Sequence, residues 1–177
     1  MNFTEVKEQI RTFIKDELIS LEPWIVNSEW SEKLPKLNEL RDKVKKMGFW
    51  LPQVSKEYGG LGLSLEQHGE VSEILGASPY GFYVFNCQAP DAGNMEVLIE
   101  TGTEEQKQQY LYPLLEGKIR SCFAMTEPQY AGSNPTRMGT TAKKENDNYI
   151  INGHKWFTSS FDGASFAIVM VVTDPDG

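Results

Sequence analysis

The sequence predicts an α+β protein: an N-terminal all-α helical bundle followed by an incomplete antiparallel β-barrel or sheet domain. Apolar residues recur at helical spacing as far as Gly117. Beyond that residue, short segments rich in Thr, Tyr, Ile, Val, Phe and Trp alternate with Asn, Asp and Gly clusters, which is typical of strands and turns. The last residues are turn formers that usually lead into another strand. We therefore predict a helical domain over residues 1–118 and a partial β-domain over residues 119–177.

Two helical stripes open the chain. The first starts at Phe3, with charged residues between its apolar members, and predicts an amphipathic helix. The second ends at Gly48, a residue suited to a helix C-cap. The apolar members are Val6, Ile10, Phe13, Ile14 and Leu18 in the first stripe, and Leu37, Leu40, Val44 and Met47 in the second.

Further helices are predicted from capping patterns. Residues 49–63 are rich in glycine and aromatics and predict a loop, after which Ser64 and Gln67 form a capping-box pattern. The helix that follows carries Leu65, Val71, Ile74 and Leu75 as its apolar stripe. Pro79 and Gly81 predict a break, and another helix is expected within residues 81–100. Thr103 with Gln106 predicts the cap of a last helix through Tyr110, Leu111 and Leu114.

The remaining segments predict strands. Residues 138–144 and 149–151 flank an Asn-Asp-Asn cluster and predict a hairpin. Residues 166–173 form an apolar run, which predicts a buried strand. The resulting β part is short, so the predicted sheet is incomplete.

Composition and charge narrow the possible functions. The 177 residues include 40% hydrophobic and 24% charged residues, so we expect a folded globular chain. A formal net charge of −8 disfavours general binding to nucleic acid or anionic membranes, because both require a basic surface. Anionic small ligands remain possible, since backbone N–H groups and helix N-termini can hold them.

The cysteines and the N-terminal residues indicate a reduced, cytoplasmic setting. Cys87 and Cys122 lack the spacing of a disulfide framework or a metal site. His68 and His154 are likewise expected in surface or capping roles, without metal-ligand spacing around them. The first residues lack a signal-peptide pattern, and the longest apolar run is far shorter than a membrane span of about 18 residues.

Two stretches carry the chemistry. Residues 121–134, SCFAMTEPQYAGSN, place a strand before a Thr-Glu-Pro turn and a set of small residues. Free N–H groups and hydroxyls at such a turn suit a ring with hydrogen-bonding edges and a pyrophosphate. Residues 149–160, YIINGHKWFTSS, place two adjacent aromatics and three hydroxyls after a hairpin strand. Taken alone, the first stretch is more often a strand ending at a proline turn, and Trp156 and Phe157 are more often core or interface residues than cofactor contacts.

Together these stretches resemble the middle β-domain of acyl-CoA dehydrogenases, in which a TEP turn is followed by an INGxK segment. The GGLGLS segment at residues 59–64 and the run from PDAGNMEVL to TEP at residues 90–128 are similar to the same family. The resemblance implies the family's fold and FAD as the cofactor. It also implies cofactor-binding roles for Phe123, Met125, Thr126, Phe157 and Ser159, and substrate-binding roles for Gly132 and Ser133.

The resemblance also implies a reaction: α,β-dehydrogenation of an acyl-CoA thioester to a trans-2-enoyl-CoA. The implied partners are acyl-CoA, an electron-transfer flavoprotein or similar acceptor, and further copies of the chain in a homo-oligomer. In this family the catalytic base is a glutamate of a C-terminal helical domain, to which none of these 177 residues corresponds. We therefore expect no catalytic residue within the chain and little or no activity of the chain by itself.

Two other hypotheses remain open. The chain can be a non-catalytic module that associates with itself or with a partner chain, because an unfinished sheet leaves strand edges available for pairing. It can also be a helical scaffold without a ligand, in which case the matching motifs are coincidental.

Overall fold

The computed structural model describes residues 2–132 and 134–174. The chain forms two compact units that divide between Ala92 and Gly93, within the first turn of a helix. The first unit is helical, and the second combines helices with four strands. Helices therefore precede strands along the chain, as predicted. The predicted domain boundary near residue 118 remains a prediction.

The first unit opens with α1 (Phe3–Phe13), which begins at a capping box between Asn2 and Glu5. The helical segment continues directly through a π-helical turn (Ile14–Leu18), a 3₁₀ turn (Ile19–Leu21) and α2 (Glu22–Ile25). Four members of the predicted stripe are buried, namely Ile10, Phe13, Ile14 and Leu18. The prediction of an amphipathic first helix is thus confirmed.

The second predicted stripe forms α3 (Trp30–Met47). Its members Leu37, Leu40 and Val44 are buried, which places this face in the core of the first unit. The predicted C-cap is confirmed at Gly48, whose φ of 77° lies in the left-handed region that glycine adopts without a steric penalty.

A loop over residues 49–63, interrupted by a 3₁₀ turn (Lys56–Tyr58), leads to α4 (Leu65–Leu75). The predicted capping box is confirmed, because the Ser64 side chain accepts from the Gln67 N–H and the Gln67 side chain accepts from the Ser64 N–H. The predicted helix does carry Leu65, Val71, Ile74 and Leu75, but only the last three are buried, and the Leu65 side chain is 88% exposed. Leu65 is the first residue of the helix, where a side chain lies beyond the face that the later turns bury.

The helix expected within residues 81–100 consists of two helices. They are α5 (Gly81–Val84) and α6 (Asp91–Thr101). A glycine is required at position 81, because a Cβ atom there would lie 2.0 Å from the Leu75 carbonyl oxygen. The last predicted helix begins at the Thr103–Gln106 capping box and comprises α7 (Glu104–Gln106), a π-helical turn (Lys107–Leu111) and α8 (Tyr112–Leu115).

Four strands follow, and they form two pairs. β2 (Thr141–Glu145) and β3 (Asn148–Asn152) form the predicted antiparallel hairpin around Asn146 and Asp147. β1 (Ser121–Ala124) and β4 (Phe166–Val169) pair in parallel, with Ser121 opposite Phe166 and Ala124 opposite Val169. Beyond β4, the Val172 N–H donates to the Thr140 carbonyl at 2.8 Å and continues the pairing toward β2.

Two expectations about these strands need correction. The antiparallel description holds for the hairpin but not for β1 and β4, because the long segment between them contains the whole hairpin and returns the chain in the same direction. The segment predicted as a buried strand is only half-buried, with alternate residues of β4 exposed. One face of β1 and β4 packs on helices, where the rings of Tyr110 and Phe166 lie 4.8 Å apart, and the other face is open.

Candidate functional site

The end of β1 and the segment after β3 lie side by side in the second unit. The Trp156 N–H donates to the Thr126 carbonyl at 3.0 Å. The Lys155 ammonium donates to the Met125 carbonyl at 2.9 Å. The two stretches that carry the sequence motifs, about thirty residues apart in the chain, are therefore joined by hydrogen bonds of ordinary length.

A cavity of about 430 Å³ opens beside this junction. That volume lies in the range of about 300 to 1,000 Å³ that is usual for small-molecule sites. The strands β1 and β4 form its floor, and the segment after β3 forms its wall. Apolar side chains predominate among the lining residues, which are Ala124, Lys155, Trp156, Thr158, Phe161, Ala167 and Val169.

An ion pair that is largely shielded from solvent lies at one end of the junction. The Lys155 ammonium donates to Glu127 Oε1 at 2.8 Å, and the two side chains are 11% and 3% exposed. The same carboxylate accepts from the backbone N–H of Gly139 at 2.6 Å and from that of Thr140 at 2.9 Å. Three donors therefore surround Glu127, so the cost of burying its charge is offset by direct hydrogen bonds.

The surroundings of Glu127 determine its pKa. Burial alone would raise the pKa of this carboxyl, but hydrogen bonds from Lys155, Thr140 and Gly139 outweigh burial and lower the pKa from about 4.5 to about 2. Glu127 is therefore ionised at neutral pH. A carboxylate with so low a pKa is a poor proton acceptor, which argues against its use as a general base.

This lowered pKa predicts a pH dependence of stability. Because the folded pKa lies below the unfolded one, the stabilisation from Glu127 is fully present above about pH 4.5 and is lost as the pH falls through about 2. We expect the difference in free energy of unfolding between the wild type and Glu127→Gln to shrink between pH 5 and pH 3. Urea unfolding at both pH values measures it. A difference that stays constant or grows on acidification would contradict the assignment.

Glu127 also closes the loop that follows it. Its bonds to Gly139 and Thr140 join the two ends of residues 128–138. Within the loop, Gly132 approaches the Thr126 side chain so closely that a Cβ atom on Gly132 would lie 2.8 Å from Thr126 Cγ2. The loop is thus folded back on the end of β1, and the small residue at position 132 makes that approach possible.

The aromatic pair after Lys155 consists of Trp156 and Phe157, and the backbone of Phe157 has an uncommon conformation. Phe157 has a φ of 50°, in the left-handed region that bulky side chains rarely adopt, and its side chain is 79% exposed. The Trp156 and Phe157 ring centroids lie 4.6 Å apart. A strained residue with an exposed ring is often found at a ligand site.

Comparison with known proteins identifies the family. The model of the acyl-CoA dehydrogenase N-terminal domain matches residues 3–118, and that of the middle domain matches residues 122–177. The chain belongs to the acyl-CoA dehydrogenase family. The fold class predicted from the sequence, a helical domain followed by a small sheet domain of acyl-CoA dehydrogenase type, is confirmed in this respect.

Individual relatives agree with this assignment. Acyl-CoA dehydrogenase family member 10 from Mus musculus is 42% identical over 181 residues, covering 95% of this chain and 17% of the relative. Acyl-CoA dehydrogenase family member 11 from Homo sapiens is 37% identical over 180 residues, covering 95% of this chain and 22% of the relative. The chain therefore spans about a fifth of the length of these curated relatives.

Solved structures share the fold. A Mycobacterium abscessus protein assigned to the acyl-CoA dehydrogenases superposes with a TM-score of 0.90 at 36% identity, covering 99% of this chain and 47% of that one. A glutaryl-CoA dehydrogenase from Mycobacterium smegmatis, in complex with FADH2, superposes with a TM-score of 0.72 at 26% identity, covering 97% of this chain and 42% of that one.

None of the described residues that the acyl-CoA dehydrogenase resemblance singles out is among the residues that line the cavity; several of them are sequence neighbours of lining residues. Ala124 lines it between Phe123 and Met125, because successive strand residues point to opposite faces. Trp156 and Thr158 line it on either side of Phe157, and Ser159 follows them. Thr126 is held against Trp156, and Gly132 lies beside Thr126. The predicted Ser133 lies outside the described residues.

Sequence reasoning did not single out the buried pair of Glu127 and Lys155. Both residues stand inside the quoted motifs, in TEP and in NGHK. A carboxylate beside a strand-ending proline and a lysine before two aromatics were the available signal. Their pairing across the fold was not visible in either motif alone.

Acyl-CoA dehydrogenases typically bind FAD, and the donors at this site fit such a group. Within residues 2–132 and 134–174, neither the Thr126 hydroxyl nor its N–H makes a hydrogen bond, so both can donate to a ligand. The exposed Phe157 ring offers an apolar face for a planar ring system. Thr126 is hydrogen-bonded to the lining residue Trp156, and Phe157 lies in sequence between the lining residues Trp156 and Thr158.

Two features are absent from the described residues. No group of three or more His, Cys, Asp or Glu side chains is placed to hold a metal ion. None of the described helices has the length and apolar character needed to cross a membrane.

Proposed function

We propose that this chain forms one side of the flavin and acyl-CoA site of an FAD-dependent acyl-CoA dehydrogenase. The reaction is α,β-dehydrogenation of an acyl-CoA thioester to a trans-2-enoyl-CoA. The main support is the junction between Thr126 and Trp156, which places the two motif segments beside one cavity of about 430 Å³. In the same proposal, residues 1–118 form the family's helical domain and residues 119–177 part of its β-domain.

Each predicted site residue has a role in this proposal. Thr126 donates its hydroxyl and N–H to the pyrimidine edge of the flavin, and Phe123 and Met125, whose side chains point to the other face, occupy strand positions that flank the ring system with their backbone. Phe157 places its ring against the isoalloxazine, with the Ser159 hydroxyl nearby. Gly132 and Ser133 lie close to phosphate groups of the flavin or of CoA, where small residues permit close approach of the backbone.

The division of labour follows from these roles. When bound, FAD accepts the hydride that leaves the β-carbon of the substrate. The residues described here bind and orient the reactants, and the apolar lining of the cavity excludes water. Glu127 is unsuited to take the α-proton because its pKa is about 2. We therefore assign the base to a glutamate of the family's C-terminal domain.

A flavin titration tests the proposal. FAD added to the wild-type chain should change in fluorescence and visible absorption on binding. Thr126→Val removes one hydroxyl at constant volume, so we expect it to weaken FAD binding about threefold to tenfold, the effect of one net hydrogen bond. Thr141→Val on the exposed part of β2 is the matched control and should leave the affinity unchanged.

Two results of the titration would contradict the proposal. Equal effects of the two threonine variants would remove Thr126 from the flavin site. The whole assignment fails if neither the chain nor a version extended with the family's C-terminal sequence changes the flavin signal.

The second candidate function is a non-catalytic module that associates with itself or a partner chain. The observation that favours it is the exposure of apolar side chains on β3, where Tyr149, Ile150 and Ile151 are each about half exposed. Because successive strand residues point to opposite faces, apolar side chains are exposed on both faces of this hairpin, and exposed apolar surface commonly marks an interaction site. Size-exclusion chromatography with light scattering tests this candidate. A strict monomer at high concentration would count against self-association.

We also propose a substrate, an electron acceptor, an oligomeric state and a cellular location for the complete enzyme. The substrate is an acyl-CoA, as in fatty acid β-oxidation, and the electron acceptor is an electron-transfer flavoprotein or a similar protein. The complete enzyme forms a homo-oligomer in the cytoplasm.

A further inference from the structure

We propose that Lys155 and Glu127 are positioning residues that hold two segments beside the proposed flavin cavity, the end of β1 and the segment after β3, at a fixed separation; these two segments are called its walls below. This inference rests on the proposed function for the identity of the ligand. Its geometric part, the alignment of the segments that end at Thr126 and begin at Trp156, stands on contacts within the second unit.

Three successive residues at the end of β1 are each bound by Lys155 or Trp156. The Lys155 ammonium donates to the Met125 carbonyl at 2.9 Å and to the Glu127 carboxylate at 2.8 Å. Between them, the Trp156 N–H donates to the Thr126 carbonyl at 3.0 Å. The two hydrogen bonds of the Lys155 side chain therefore lie on either side of the Trp156–Thr126 backbone hydrogen bond, which joins the two walls.

Glu127 extends this alignment to a third segment. Its carboxylate accepts from the N–H groups of Gly139 and Thr140, which lead into β2. One buried carboxylate therefore connects the end of β1, the start of β2 and the segment after β3. Charge-assisted hydrogen bonds in a buried setting are stronger than neutral ones, so the connection resists thermal displacement of the walls.

The pair acts through its neighbours and not on the ligand directly. The Glu127 carboxylate accepts from three protein donors, and the Lys155 ammonium donates to two protein acceptors, so the hydrogen bonds of both groups in this structure run to protein atoms. The groups proposed to meet the ligand are instead Thr126 and the aromatic pair, whose positions the ion pair sets. A displacement of these walls by about 1 Å is enough to impair a preorganised site.

Amide hydrogen exchange tests the positioning role without any flavin. In Lys155→Met we expect the Trp156 N–H to exchange on the order of tenfold faster or more, because one charge-assisted bond no longer supports it. The Met170 N–H, which donates to the Ala124 carbonyl in the adjoining ladder, should keep its wild-type rate after correction for global stability. Lys144→Met, at an exposed lysine of β2, is the matched control and should change neither rate.

A double variant keeps the test valid if the single variant unfolds. Glu127→Gln with Lys155→Met removes both charges and leaves no buried ion without a partner, so folding should be retained. The Trp156 N–H should still exchange about tenfold faster than in the wild type. The proposal is overturned if the Trp156 rate is unchanged, or if the Trp156 and Met170 rates rise by the same factor.

FAD titration then connects the geometry to the ligand. We expect the double variant to bind FAD about tenfold or more weakly than Lys144→Met does, as for loss of about 1.4 kcal/mol of preorganisation. Equal affinities would overturn the proposed link to the ligand site. If the wild type and its extended version bind no FAD, the proposed function fails, while the exchange rates still decide whether the pair aligns the walls.

Discussion

Glu127→Ala is expected to lower the free energy of unfolding of the second unit by about 3–5 kcal/mol, the usual effect of removing one partner of a buried ion pair. The substitution leaves the Lys155 ammonium, 11% exposed, without its carboxylate. It also removes the acceptor of the Gly139 and Thr140 N–H groups, so the loop over residues 128–138 loses its closure. Unsatisfied buried donors add to the destabilisation.

The measurement needs a reporter within the second unit. Trp156 is the only tryptophan after residue 92, so 19F NMR of fluorotryptophan-labelled protein during urea unfolding follows this unit separately. Glu145→Ala on the exposed part of β2 is the control and should change the unfolding free energy by less than about 0.5 kcal/mol. Similar values for the two alanine variants would show that the ion pair contributes little to stability.

Phe85→Ala is expected to destabilise the first unit by about 3–5 kcal/mol, the range for truncating a fully buried phenylalanine. The side chain is 0% exposed, and its ring packs edge-on against Phe13 with centroids 5.7 Å apart. Its backbone carbonyl accepts from the Leu51 N–H, which restrains the neighbouring loop. A cavity left by the ring cannot close without moving these partners.

Leu65→Ala provides the matched control for Phe85→Ala. The Leu65 side chain is 88% exposed, so its truncation removes little buried area and should change stability by less than about 0.5 kcal/mol. Urea unfolding followed through Trp24, Trp30 and Trp50 measures both variants in the first unit. A loss of more than about 1 kcal/mol from Leu65→Ala would show that the exposed helix start contributes to the core after all.

Helix starts were the most predictable feature of the fold. Capping boxes at Ser64 and Thr103 involve residues three positions apart, so the sequence alone contains both partners. The same holds for Gly48, whose left-handed conformation follows from its own missing Cβ. Leu65 shows the limit of such patterns, because helical spacing identifies a face but not where burial of that face begins.

The candidate site was predictable to the level of two segments and no further. The TEP and INGxK motifs identified the segments that meet at Thr126 and Trp156. Which residues line the cavity depends on the pleat of β1. The pleat directs the Ala124 side chain into the cavity and those of Phe123 and Met125 to the other face. No local pattern in a four-residue strand specifies which face will be covered by helices.

The sequence by itself determined the starts of α4 and α7, the end of α3, the hairpin over β2 and β3, and the family to which the chain belongs. These features depend on residues close together in the chain or on motifs of fixed wording. Only the tertiary structure decided the parallel pairing of β1 with β4 and the ion pair between Glu127 and Lys155, whose partners are separated by 45 and 28 residues. Such contacts form because the whole unit buries apolar surface cooperatively, and this burial determines which distant polar groups must satisfy one another.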